Sequence, residues 1–195
     1  MKRKNILRKI IYLLLFLALG VCFIVISEKY KDNSVREKIV ITDYYDNLNN
    51  DSYDVIGGIR MIKLLQEGKN MIVIGSKNSD WSKAYVTELD IAFKELDIKS
   101  VYHYDINNDK AQKNSNYYEI KELLAGSLTT TDGSNSNLLA PSFYIIDNGK
   151  VLYYNTDTVA MKNTIKPSDY WTDEKKSDFN IEITSAIKKY YLNNK

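Results

Sequence analysis

The chain has 195 residues, with 27 Lys and Arg against 25 Asp and Glu and a formal charge of +2, a balance that implies no basic nucleic-acid surface. One histidine and one cysteine leave no means of building a thiolate or imidazole metal site and no disulfide within the chain. The ~165 residues after the N-terminal run leave room for one packed core, with no sign of a second domain.

The first nine residues hold Lys2, Arg3, Lys4, Arg8 and Lys9 and no acid, and Ile10 to Ser27 follow as a nearly unbroken apolar run. At 1.5 Å per residue the run spans roughly 27 Å, close to the ~30 Å hydrocarbon thickness of a bilayer. Residues 1–9 therefore read as a cytoplasmic tail and 10–27 as a transmembrane signal-anchor, with everything after it extracytoplasmic. Ala18-Leu19-Gly20 loosely matches a signal-peptidase site and Leu19-Gly20-Val21-Cys22 a lipoprotein box. The run stays apolar beyond both, which favours an uncleaved anchor. Cys22 lies inside it, so the external part has no thiol. With the five N-terminal cations set apart, 22 basic residues face 25 acidic ones and the external balance is −3.

Residues 28–50 read as a stalk and linker, the start of which is equally readable as the frayed end of the membrane helix. Within it, Lys38–Thr42 is a candidate edge strand. Asn49-Asn50-Asp51-Ser52 offers caps for a helix over Tyr53–Glu67, with Val55, Ile56, Ile59, Ile62, Leu64 and Leu65 on its apolar side and Gly68 as its stop. Gly57-Gly58 weakens that helix by about 1 kcal/mol per glycine, which close packing against a neighbour would explain. No strand precedes the pair and no Gly-Lys-Ser/Thr follows, so it is not a phosphate loop.

Asn70–Gly75 is a short apolar strand, followed by a polar loop and an amphipathic helix. Tyr85, Leu89, Ala92, Phe93 and Leu96 recur at three- and four-residue intervals along one helix face, and Ser79 stands at the N-cap. Ile98–Tyr104 reads as a second strand, Asn107–Asn116 as a polar loop and Tyr117–Ala125 as a short helix closed by Gly126. Ser127–Asn137 is an exposed loop by composition. Ser142–Ile146 and Val151–Asn155 flank Asp147-Asn148-Gly149-Lys150, a strong hairpin signal. Phe179, Ile183, Ile187, Tyr190 and Tyr191 mark a last amphipathic helix, and Tyr170 and Trp171 pack the segment that leads to it.

Two segments carry a family resemblance. Ser79-Asp80-Trp81-Ser82 opens a helix after a strand, and Ala140-Pro141 precedes an apolar strand that ends in Asp147-Asn148-Gly149-Lys150. Together they resemble the thioredoxin-like superfamily, whose Cys-x-x-Cys stands at the helix start and whose cis-proline precedes such a hairpin. The resemblance runs over roughly Asp51–Leu192. It is closest to membrane-anchored bacteriocin transport accessory proteins of Gram-positive bacteria, which usually keep both cysteines. It implies an α/β thioredoxin-like fold, a central mixed sheet flanked by helices over residues 51–195, with an added N-terminal helix. It also implies a cis Ala140–Pro141 peptide and a shallow peptide groove formed by Ser79, Asp80, Trp81, Ser82, Ala140 and Pro141.

Serine at both cysteine positions decides the chemistry. Thiol–disulfide exchange needs a thiolate, and a serine hydroxyl neither ionises at a helix N-terminus nor forms a disulfide. Ser79 or Ser82 as a nucleophile would need a base within about 3 Å. His103 is the one histidine, and no Gly-x-Ser-x-Gly turn surrounds either serine. A strand histidine of this kind is structural or solvent-facing far more often than a metal ligand. Asp105–Asp109 lacks the spacing and distal glutamate of a calcium loop. No catalytic residue, cofactor or metal is expected. Trp81 has two readings, an aromatic anchor in the groove or a half-buried ring resting on the loop before Pro141. The leading expectation is a membrane-tethered, redox-inactive binding or accessory module of a secretion or bacteriocin-type system, with a protein or peptide partner in the cell envelope. The alternatives are a thiol-independent chaperone or isomerase-like helper and a structural subunit of a membrane assembly.

Overall fold

The computed structural model describes residues 39–48, 52–128, 138–156 and 165–192. The Ile10–Ser27 anchor and most of the Ser127–Asn137 loop lie outside them. Among the described residues no helix is long and apolar enough to cross a membrane.

Five strands form one mixed sheet in the order β1-β3-β2-β4-β5. They are β1 (Tyr53–Ile56), β2 (Lys69–Gly75), β3 (Val101–Asp105), β4 (Ser142–Asp147) and β5 (Lys150–Asn155). β1 and β2 each run parallel to β3, while β4 is antiparallel to both β2 and β5. Parallel pairing needs crossovers, and the helices supply them. α1 (Gly58–Gln66) follows β1, α2 (Asp80–Glu95) follows β2, and α3 (Asn107–Gln112) and α4 (Ser115–Leu123) follow β3. α5 (Pro167–Tyr170) and α6 (Asp173–Ile187) come after the hairpin, and a π-helical turn over Lys188–Leu192 ends the described chain.

Alternation along the central strands divides the core in two. Met71 and Val73 of β2, with Phe143 and Ile145 of β4, face Tyr85, Leu89 and Phe93 of α2 and Phe179 and Ile183 of α6. Ile72, Ile74, Tyr144 and Ile146 face Met61 and Leu65 of α1 and Ile120 of α4. Both faces of these strands are dry, so they read as unbroken apolar runs rather than as alternating ones.

Four expectations are corrected. The expected helix over Tyr53–Glu67 is a strand and a shorter helix, because β1 pairs in register with β3, Tyr53 opposite Val101 through Ile56 opposite Tyr104. Gly57, with extended backbone, separates the two and serves as the N-cap of α1. The expected edge strand at Lys38–Thr42 gives way to a 3-10 turn over Ile41–Asp43. Ile41, Tyr45 and Leu48, placed in the linker by composition, are buried in the core, so the folded unit begins at Val40. The polar loop at Asn107–Asn116 contains α3, whose Asp109 is buried and accepts bonds from Tyr104 Oη and Asn114 Nδ2, each at 2.7 Å.

The hairpin forms as its sequence predicts. Asp147 pairs with Lys150, and Asn148 and Gly149 take φ values of 45° and 83°, both in the left-handed region that a two-residue primed turn requires. The last helix also forms where its apolar spacing puts it, with Thr172 as N-cap accepting from Lys175 N at 3.3 Å.

Candidate functional site

β2 ends at Gly75, level with Asp105 of β3, and the chain then leaves the sheet. Ser76, Lys77 and Asn78 cross to the start of α2, with Asn78 at φ 74° reversing the backbone. Asp105 pins this crossing, because its Oδ1 accepts from Lys77 N at 3.3 Å and from Asn107 N at 3.0 Å. Ser76 adds a hydroxyl bond to Asn107 Oδ1 at 2.8 Å.

Ser79 caps α2 as its position predicts, its Oγ accepting from Ser82 N at 3.3 Å. Ser82 Oγ accepts from Ser76 N at 3.1 Å, which ties the first turn of the helix back onto the crossing loop. Both hydroxyl oxygens therefore accept from backbone N–H groups. Ser82 is fully buried, Ser79 half-buried and Asp80 exposed.

Beneath Ser82 lies a polar pair that composition did not suggest. Tyr45 Oη and His103 Nε2 are 3.1 Å apart, both residues fully buried. Burial holds the His103 pKa down to about 3, so the ring is neutral. Burial likewise raises the Tyr45 phenol well above its ordinary value. Asp105 pushes it the same way, while hydrogen bonds from Ser82 and the Ser76 backbone lower it by less. Gly75 makes room for the pair: a Cβ there would sit 2.5 Å from His103 Nε2. His103 is thus structural, and its side-chain hydrogen bond among the described residues goes to Tyr45. Solvent does not reach it.

Pro141 precedes Ser142, and Ser142 is in register with Ile74, the residue before Gly75. The antiparallel pairing thus brings Ala140 and Pro141 to the sheet end from which the Ser76–Ser82 turn leaves. The Ala140–Pro141 peptide is cis. Pro141 is buried and Ala140 half-buried, and Ser142 Oγ closes the approach with a bond to Leu139 O at 2.9 Å.

Trp81 is half-buried, but its ring lies against Tyr170, with centroids 5.4 Å apart, rather than in an open groove. Tyr170 in turn stands edge-on to Trp171, which packs on Phe179 and Tyr85. α5 is therefore fixed across the start of α2. Beside it an open cleft of about 430 Å³ runs along α2, lined by Asp80, Lys83, Ala84, Glu88, Pro167 and Trp171. Among the described residues no group of three or more His, Cys, Asp or Glu is arranged to hold a metal ion.

Of the six expected groove residues, the fold brings the turn Ser79–Ser82 and the pair Ala140–Pro141 to one end of the sheet. Tyr45, Tyr170 and His103 complete the surroundings and were not assigned to the site from sequence. The Ile41, Tyr45, Leu48 spacing of four and three was the signal for the first of them. The chain matches no family model and no curated protein.

Proposed function

We propose that this chain is a membrane-tethered, redox-inactive, thioredoxin-like binding or accessory module of a cell-envelope or secretion system, of the bacteriocin-transport kind. The partner is an extended segment of another protein, bound at the sheet end that carries Ser79, Asp80, Trp81, Ser82, Ala140 and Pro141. The observation that supports this reading most is the placement of the Ser76–Ser82 turn beside the β4 entry. Exposed Asp80 and half-buried Ser79 and Ala140 lie at that sheet end, a surface suited to extended peptide. Thiol–disulfide exchange has no thiol to use at this turn, since Cys22 is the one cysteine.

The test is photo-crosslinking in intact cells from position 81, with position 181 as control. Ile181 lies on α6 and is 62% exposed. Adducts specific to position 81, weakened several-fold when Pro141 is replaced by Ala, are expected. Equal labelling from both positions, or none from 81, would sink the reading.

A further inference from the structure

The segment Val40–Leu48 is built into the candidate site. Ile41, Tyr45 and Leu48 anchor it in the core at four- and three-residue intervals, and the side chains between them reach the site's own elements. Tyr45 hydrogen-bonds His103 of β3 at 3.1 Å against Gly75, and its phenol also hydrogen-bonds the Ser82 side chain. Tyr44 lies 5.5 Å from the His103 ring, and the Lys77 ammonium of the crossing loop sits 5.0 Å over the Tyr44 ring. Asp46 Oδ1 takes Lys83 Nζ at 2.5 Å, and Asn47 Nδ2 donates to Thr87 Oγ1 at 2.7 Å. Four consecutive residues therefore hold the crossing loop, the floor under Ser82 and the first two turns of α2.

We infer that Tyr44–Asn47 is a strap that positions the Ser76–Ser82 turn, with Tyr45 as the residue that sets Ser82 from below. This rests on the proposed function only in treating that turn as the working surface. The contacts explain why a turn rich in Ser, Lys and Asn keeps one shape. Its own hydrogen bonds close it locally, and the strap ties both its ends to β3 and α2.

Hydrogen exchange on the full chain in mild detergent tests this without reference to any partner. Asp46→Ala with Asn47→Ala removes two exposed clamps and leaves the buried anchors in place. Amides of Gly75–Lys83 are expected to exchange about fivefold faster, while those of the β4–β5 hairpin stay unchanged. Tyr45→Phe keeps the ring and removes the hydroxyl, and the same local acceleration is expected, largest at Ser76 and Ser82. Asn47→Gln with Asp46→Glu should restore slow exchange. Unaltered exchange at 75–83 in the clamp variant, or acceleration of equal size in the hairpin, overturns the strap. Loss of crosslinking from position 81 with this exchange pattern intact would count against the binding reading alone.

Discussion

Ser79 and Ser82 occupy the N-cap and the third helical position of α2, and the cap bond between them spans 3.3 Å. Side chains so placed face one another across the first turn, which is the spacing a reducible disulfide across a helix start uses. With Cys22→Ser as background, Ser79→Cys combined with Ser82→Cys is expected to form a disulfide under air oxidation. Intact mass would read it as the loss of two protons, reversed by a mild reductant. Two thiols that stay free under those conditions would show that the turn does not hold positions 79 and 82 at disulfide distance. Tyr45 and His103 beneath Ser82 are hydrogen-bonded and buried, so the cavity under the turn is already filled by polar groups that need one another.

α1 shows how a weak element is held in place by packing. Its start would be poor in isolation, because Gly57 caps it without a side chain and Gly58 opens it. Gly58 is where a side chain has no room. A Cβ there would run into Asp109 Oδ2 and lie 2.8 Å from Asn116. Asp109 cannot withdraw freely, since it holds Tyr104 Oη and Asn114 Nδ2. Gly58→Ala, which would favour an isolated helix by about 1 kcal/mol, is therefore expected to destabilise the folded protein by roughly 1–3 kcal/mol. Gly57→Ala meets nothing within 4 Å and should be close to neutral. Denaturant midpoints of the two variants check the contrast, and equal effects would mean that α1 and α3 do not pack as described.

For the whole molecule, His103 links stability to pH. Its folded pKa is held at about 3 by burial, below the ordinary 6.5. Between those values the unfolded chain binds a proton that the folded chain does not, so stability falls as pH drops from about 6.5 towards 3 and is unaffected by this group above 6.5. From pH 7 to pH 4.5 the loss from this residue is roughly 2–3 kcal/mol. Urea unfolding of the parent and of His103→Gln at both pH values isolates it. The parent should lose more stability than the variant, and parallel losses would show that the imidazole is not kept neutral by the fold.

Local chemistry made much of the fold legible. The left-handed turn at Asn148-Gly149, the Ser79 cap and the apolar faces of α2 and α6 follow from residues close in sequence, and each formed where its pattern put it. β1 and the Ile41–Leu48 segment did not. Tyr53–Ile56 becomes a strand because β3 stands alongside to accept its backbone bonds. Tyr45 belongs to the site because a buried histidine 58 residues away needs a partner. The sequence by itself determined that no thiol–disulfide chemistry is available outside the apolar N-terminal run, since that depends only on which side chains carry a thiol. Only the tertiary structure decided what surrounds Ser82, because hydrogen bonds and packing between distant segments have no signature within any one of them.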